Sequence, residues 1–477
     1  MNFCYILKNI CEKYPEKIAV IDRGNSYSYR VLWSRISRVS ELFNDYGVKK
    51  SDRIIIVLPD SIDFLLYHFA ALKIGAISVP VKRDYKIWEF EKILQYCRPK
   101  LFISNDEWLE TNKSVIKTLK PEVRIISTDS INIDGKRGDM SNRVMNTGDI
   151  SCILHSYFGC GYPKGVALSH KNLIISAIGY SKYFNFSSMD MVLVVLPMSH
   201  VYTLSGCIHS TLVRGATIVI PETTTPKTII KYIKSSNITI LTAVPAVFEY
   251  LSRYCIKKNY DISTIRLCIS GGDYLSADMQ IKFEKCLNKQ IIQGYGLTES
   301  MPVVSNVEGK GNRPGALGIP GRKDIKIKII NETGKEIPMG QTGEILIKSP
   351  TIMSEYYNLP HDTKAVLKGG WLHTGDIGWV NNDGFLYFSG LKKNIFNLYG
   401  NKVDPLEVKM FLLTHPLIDD AEIYMEKSTP SSKIIGTMKI CANIKTKQGG
   451  KISVIELRAF CKERIASYKI PESFKFI

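Results

Sequence analysis

The chain has no C-x-x-C pair, and its 11 cysteines follow no regular spacing. A scattered, odd-numbered set argues against a disulfide framework or a zinc site and for reduced thiols in a cytosolic chain. No run of about 18 uncharged apolar residues occurs, so no membrane-spanning helix is expected. The N-terminal MNFCYILKNICEKYPEK carries charges inside its short apolar run and has no small-residue cleavage site, so it does not read as a secretory leader. Internal repeats and long biased segments are missing too. Acidic residues are scarce relative to basic ones, 45 Asp+Glu against 63 Lys+Arg, for a net charge of +18. Such a balance could serve nucleic acid, but there is no arginine–aromatic cluster or recognition helix, and the basic residues are mostly dispersed lysines. No basic amphipathic helix suited to a membrane surface stands out. At 45% apolar and 10% aromatic, the 477 residues can bury a sizeable core, which excludes disorder as the main state. A cytoplasmic protein with neither a nucleic-acid partner nor integral membrane association is expected.

What is present is alternation. Between residues 15 and 105, helix-like amphipathic stretches (VLWSRISRVSELFNDYG, SIDFLLYHFAALKIG, WEFEKILQYC) alternate with short β-rich runs (KIAVID, RIIIVLP, AISVPV, KLFIS). The pattern predicts βα units on a parallel sheet. It recurs between 150 and 300, where CILHSY, MVLVVLP, ATIVIP, ITILTAVP, RLCISGG and KQIIQGYG are candidate strands. Many end in Gly, Pro, Ser or His, at the carboxyl ends where open sheets bind ligands. TTTPKTIIKYIKSS and KTKQGGKI are expected to be polar surface or turn material. From 320 to 390, IKIKII, GEILIKS and GWVNNDGFLYFSG are short strands with NETG and NNDG turn signals. After Gly390 a basic segment, LKKNIFNLYGNKVDP, leads into a tail that mixes helices (LEVKMFLLTH, VIELRAFCKERIA) with strands (AEIYMEK, TMKICANIK). The expected fold class is α/β: a large N-terminal domain of βα sheets over 1–390, with a β subdomain at about 320–390, and a small α+β C-terminal domain over 391–477. This C-terminal part is the denser in positive charge, with 15 Lys+Arg against 9 Asp+Glu.

The first segment with chemical content is LHSYFGCGYPKGVALSHKN, residues 154–172. Closely spaced glycines expose backbone N–H groups that can cradle phosphate, and Lys164 adds a point charge. By itself it reads better as a tight surface turn, since it fits neither a Walker loop nor a dinucleotide fingerprint. Further along come LPMSHVYTLSG (196–206), TAVPAVFEYL (242–251), ISGGDYLS (269–276), QGYGLTES (293–300), WLHTGDIGWVNNDGFLYFSG (371–390) and LKKNIFNLYGNKVDPLEV (391–408). Taken singly, TGD is a turn, GYG a close-packed strand end, Glu299 a solvated or capping acid and His200 a hydrogen-bonded structural residue.

In this order and spacing, from about residue 10 to the last, the seven segments resemble the adenylate-forming superfamily, which includes acyl-CoA synthetases, aryl-acid ligases and adenylation domains of nonribosomal peptide synthetases. The resemblance implies that Ser156, Gly161, Lys164 and Gly165 belong to a loop around the β- and γ-phosphates of ATP. It implies that Gly271 and Gly272 line the adenine pocket, Gly294, Tyr295 and Gly296 meet the base with the tyrosine ring stacked on it, Thr298 contacts the α-phosphate, Glu299 is the magnesium ligand and Asp376 accepts both ribose hydroxyls. His200 matches the histidine at the carboxylate end of the acyl pocket. That pocket is expected to be lined by His200, Val201, Tyr202, Ser205, Gly206, Ala243, Val244, Gly271, Gly294, Met301 and Pro302, with His200, Thr298 and Glu299 as the catalytic set. Each role is chemically sensible: a hard cation takes carboxylate oxygen, one carboxylate accepts two hydrogen bonds from a diol, and an aromatic face stacks on a base. The implied reaction is attack of a carboxylate on the α-phosphorus of ATP, with Mg2+, and transfer of the acyl group to the thiol of coenzyme A or of a carrier-protein phosphopantetheine. The small domain would rotate about Lys393 between the two steps. Amino-acid-activating relatives place an aspartate within the segment equivalent to 197–206 to pair the ammonium, and none is present, so the expected partner is a small carboxylic acid without an α-ammonium group. An acyl or peptidyl carrier protein is the alternative acceptor.

The chain also departs from the pattern. The S-G-T-T-G core of the phosphate loop is Tyr157-Phe158-Gly159-Cys160-Gly161, the arginine after the junction glycine is Leu391, the acid after the hinge is Asn394, and a thiol-tunnel glycine is Tyr399. SYKIPESFKFI (467–477) resembles the Y-K-x-P motif, and the P-x-T-x-x-G-K motif expected beyond it is not in the sequence. Gly450-Lys451-Ile452 imitates its end but is expected to be a hairpin turn. A slow adenylation half-reaction is the consequence expected, and an adenylation-deficient pseudo-ligase that binds or transfers acyl groups is the competing expectation.

Overall fold

A computed structural model describes residues 2–133, 145–156, 162–258, 261–306, 311–392, 396–398, 401–427, 438–447, 450 and 452–477. The apolar runs become strands of two large sheets. In the first, Ile291–Leu297, Leu267–Ser270, Ile240–Ala243, Met191–Val194, Thr217–Ile220 and Ile18–Asp22 lie side by side and parallel. In the second, Ile150–Ser156, Ile77–Pro80, Arg53–Val57, Leu101–Ser104 and Arg124–Ser127 are parallel in that order, and Lys164–Ser169 returns antiparallel beside Ile150–Ser156.

Alternate residues of each strand point to opposite faces, and both faces are covered. Ile54 and Ile56 pack inward with helices Tyr29–Asp45, Ile62–Ile74 and His170–Tyr183, which lie between the two sheets. Ile55 and Val57 pack outward with helix Ile87–Cys97. On the far face of the first sheet, helices Pro226–Ser235, Pro245–Lys258 and Ala277–Leu287 close a separate apolar cluster. The first of these corrects an expectation, since TTTPKTIIKYIKSS is a helix. Thr225 caps it by accepting from the Thr228 N–H, Pro226 occupies its first turn, and Ile229, Ile230, Tyr232 and Ile233 are buried at helical spacing.

Beyond Ile291–Leu297 the first sheet continues antiparallel through Ser300–Ser305, Ala316–Pro320, Leu386–Leu391, Trp371–Val380, Gly343–Lys348 and Lys326–Ile330. The 320–390 segment is thus an extension of the main sheet. The C-terminal residues build their own core from helices Pro405–Leu412 and Val454–Arg464 and the strands Ile418–Lys427, Met438–Thr446 and Ser473–Phe476.

This small unit docks beside helix Ile87–Cys97. Lys469 Nζ lies 2.7 Å from Glu89 Oε1 and 2.8 Å from Glu407 Oε1, with all three side chains fully buried. The Ala466 N–H also donates to Glu89 Oε1, and Trp88 meets the Phe411 ring edge-on at 5.8 Å. Burial pushes the Glu407 carboxyl up to about 7 against the pull of Lys469. Among the described residues no helix is long and apolar enough to cross a membrane, and the cysteines are free thiols, all buried except Cys286.

Candidate functional site

One cavity of about 750 Å3 opens between the sheets, and the carboxyl ends of Ile150–Ser156 and Ile77–Pro80 from the second sheet and of Leu267–Ser270 and Ile291–Leu297 from the first contribute to its wall. At the end supplied by the second sheet, Ser156 closes its strand and is paired directly with Lys164 on the antiparallel neighbour. Lys164 is 4% exposed, lies 2.6 Å from Asp362 Oδ1 and sits over the Tyr356 ring. Asp362 is carried by the short helix Pro360–Val366, which no motif marked. Gly161 falls outside the described residues. Gly165, expected at the phosphates, is not among the residues that line the cavity. A Cβ there would come within 2.7 Å of the Tyr96 ring and 2.8 Å of Ile153, so close packing is what requires the glycine.

The first sheet supplies the other wall. Gly271 and Gly272 follow strand Leu267–Ser270 and line the cavity, and Gly272 has φ +78°, a left-handed conformation that favours glycine. The strands Ile291–Leu297 and Ser300–Ser305 pair through Leu297 and Ser300, which places Thr298 and Glu299 at the two-residue tip of the hairpin, with Gly294, Tyr295 and Gly296 along its cavity edge. Tyr295 donates from its hydroxyl to Asp376 Oδ2 at 2.5 Å. Asp376, 4% exposed, is held in turn by its own N–H donating to the Thr374 hydroxyl. Burial and the neighbouring carboxylate push the Tyr295 phenol well above its ordinary value. Glu299 is equally buried and accepts from the Tyr356 hydroxyl at 2.7 Å, so Tyr356 touches both Lys164 and Glu299.

The third part of the wall is largely aromatic and apolar. His200 and Val201 precede a π-helix, Tyr202–His209, a rare element that recurs at functional sites. Tyr202 donates its N–H to His200 Nδ1 at 3.3 Å and its hydroxyl to the Ile269 carbonyl at 2.9 Å, which lays its ring against Gly271. Met301, Pro302, Tyr180, Tyr183, Phe184 and Leu317 complete this end. Ser205, Gly206, Ala243 and Val244, expected in the pocket, stand behind its lining. A Cβ on Gly206 would come within 2.6 Å of Met301 Cε, so Gly206 permits the wall to close.

One cavity therefore gathers Ser156, Lys164, Gly271, Gly272, the Gly294–Glu299 hairpin, Asp376, His200, Val201, Tyr202, Met301 and Pro302. Lys393 lies outside the described residues. Several lining residues carried no sequence signal, among them Lys82, Tyr180, Asp362 and Glu344. Glu344, for example, accepts the Lys392 ammonium at 2.7 Å, a pair 48 residues apart in the chain. The wall is mixed in charge, with Lys82, Lys164, Arg322, Lys368 and Lys392 interspersed among Asp273, Glu299, Glu344, Asp362 and Asp376. Among the described residues no group of three or more His, Cys, Asp or Glu side chains forms a metal cage.

The profile of a protein family described as AMP-binding enzyme matches residues 7–357. Over 99% of its length the chain is 26% identical to a long-chain-fatty-acid–CoA ligase of Bacillus subtilis (strain 168), 90% of which is covered. It is 27% identical to an oxalate–CoA ligase of Arabidopsis thaliana, over 98% of this chain and 93% of that one, and 29% identical to 4-coumarate:CoA ligase 1 of Petunia hybrida, over 98% and 88%. Among solved structures it is similar to a double mutant of the o-succinylbenzoate CoA synthetase of Bacillus subtilis bound with a product analogue, with TM-score 0.87, 23% identity and coverage of 99% and 94%. It is also similar to the amide bond synthetase McbA of Marinactinospora thermotolerans, with TM-score 0.88, 19% identity and coverage of 100% and 96%. Those two likenesses concern the fold, an α/β body with a small C-terminal domain.

Proposed function

The chain belongs to the AMP-binding enzyme family, and from that premise we propose that it activates a small carboxylic acid without an α-ammonium group to acyl-AMP with ATP, then passes the acyl group to coenzyme A. Ligation of an acid to coenzyme A is the activity that its full-length relatives support. The observation that carries the finer statement is the single cavity in which the Tyr295–Asp376 pair, the Thr298–Glu299 tip and Lys164 stand at one end and the aromatic wall behind His200 at the other. A nucleotide and an apolar acid fit side by side in such a space.

In this arrangement Asp376 accepts from the ribose hydroxyls, its carboxylate plane set by Tyr295, and the Tyr295 ring and the Gly271-Gly272 backbone receive the base. Lys164 turns from Asp362 toward the outer phosphates, and Thr298 donates to the α-phosphate. His200 faces the acid's carboxylate. One carboxylate oxygen bonds to the α-phosphorus as the bond to the leaving pyrophosphate breaks, and the thiol of coenzyme A then displaces AMP to leave a thioester. Little covalent work falls to the protein, whose task is alignment and charge neutralisation.

Magnesium fits Glu299, a buried carboxylate on the cavity wall with one oxygen already held by Tyr356. With no protein cage among the described residues, Glu299 would hold the ion together with substrate phosphates, as this cation is usually held. Its contribution when bound is neutralisation of phosphate charge.

The test is acid-dependent ATP–pyrophosphate exchange over a panel of aryl and aliphatic acids, followed by detection of the coenzyme A thioester. Exchange with at least one acid is expected. Absence of exchange with every acid, while ATP still binds, would replace the ligase with the acyl-binding pseudo-ligase. Exchange without transfer to coenzyme A would point to a carrier-protein thiol.

A further inference from the structure

We propose that Lys82 is a second phosphate-contacting lysine of this cavity, gripping the triphosphate of the nucleotide from the side of Ser156 opposite Lys164. The proposal rests on the nucleotide-binding role of the cavity. Its basis is where three neighbouring strands end. Strand Ile77–Pro80 runs parallel to Ile150–Ser156 with Ser78 level with Cys152. Four residues further along each chain come Lys82 and Ser156, and both line the cavity. On the other side of Ser156 its antiparallel partner is Lys164. Two lysines from the two neighbours thus bracket the residue at which the glycine-rich segment begins.

The partners of these cations differ. Lys164 is paired with Asp362, Lys392 with Glu344 and Arg322 with Asp324, and Lys368 is exposed to solvent. Lys82 Nζ instead donates to the neutral amide oxygen of Asn401 at 2.9 Å and lies over the Tyr468 ring. Burial pulls its ammonium down to about 8, with Asp84, Glu89 and Glu407 opposing and Lys469 assisting. Those carboxylates act at a distance, while the ammonium's direct contacts are an amide and a ring face, so a phosphate oxygen would give it a charged partner in contact. Asn401 and Tyr468 both belong to the small C-terminal unit, so a nucleotide that engages Lys82 competes for a contact that unit makes.

Coenzyme A also carries phosphates, so the experiment needs three ligands. Titration calorimetry of the full chain with ATP, adenosine and coenzyme A would compare the natural protein with Lys82→Met, Lys82→Gln, Lys82→Arg and the control Lys100→Met. Lys100 is exposed and precedes strand Leu101–Ser104, at the opposite end of the same sheet. Loss of a charge-assisted contact should weaken ATP binding roughly ten- to a hundredfold in Lys82→Met and leave adenosine binding unchanged. Lys82→Arg should retain most of the affinity, and Lys100→Met all of it. If Lys82→Met does not fold, Lys82→Gln, which can still bond Asn401, must show the same loss. Unchanged ATP affinity in the variants would overturn the role of Lys82 alone, as would equal losses for ATP and adenosine, or a loss confined to coenzyme A. A natural protein that binds neither ATP nor adenosine would overturn the nucleotide cavity and Lys82 with it.

Discussion

Tyr295 and Asp376 illustrate how a single hydrogen bond joins two parts of the chain into one binding element. The residues are 81 positions apart, and the 2.5 Å bond between them fixes the carboxylate plane that a ribose would meet. Asp376→Ala removes both acceptor oxygens, and we expect at least a tenfold loss of ATP affinity, because each hydrogen bond to a charged group is worth about 1.5–3 kcal/mol. Tyr295→Phe keeps the ring and frees the carboxylate to turn, so the expected loss is smaller, a few-fold. Equilibrium titration with ATP checks both, and equal losses would show that the ring matters less than its hydroxyl. Both residues were legible in the sequence because each sits in a local motif, but their bond was not. Lys82, Asp362 and Glu344 were not legible as site residues, because their segments carry no motif and only the packing of strand ends brings them to the cavity. Gly165 and Gly206 show the converse: the motif marks a glycine, while the reason for it is the ring or methyl group behind.

Among the elements, the strands were the most legible, since short β-branched runs ending in Gly, Pro or Ser become buried strands, several of which end at the cavity. Helix Pro226–Ser235 was missed because its polar, threonine-rich entry resembles a turn, yet that entry is its N-terminal cap. Thr225→Ala should cost about 1 kcal/mol, read as a lowered urea midpoint at unchanged slope. Docking of the small unit makes a second prediction. The Glu407 carboxyl is raised from 4.5 to about 7 by burial, so the docked state holds a proton that the exposed carboxyl has already lost. The stability of the docked unit should therefore be highest at or below pH 4.5 on this account and fall as pH rises toward about 7. Glu407→Gln should flatten that slope in thermal midpoints measured from pH 5 to 7.5. Lys469, raised by the two carboxylates despite burial, keeps its charge across this range and adds no slope of its own.

At the scale of the molecule, two sheets with helices between them turn their strand ends toward one space, and the small unit packs beside it through Lys82, Glu89 and Trp88. A ligand in that space touches both sheets, so its binding energy is shared by the whole large unit. ATP at a hundred times its dissociation constant should stabilise the protein by about 2.7 kcal/mol, visible as a rise of a few degrees in the thermal midpoint. Asp376→Ala should lose most of that rise. The contact between Trp88 and Phe411 has a further use. Trp88 is partly buried and packs on the small unit's core, whereas Trp33 and Trp108 are buried and Trp371 and Trp379 lie on strand Trp371–Val380 of the large unit. Should the small unit swing away, as the family resemblance implies, the indole of Trp88 would lose its ring neighbour and meet water, and its emission would shift to the red. Trp88 would then serve as an optical gauge of domain position, and stopped flow without a dye would test for such a swing.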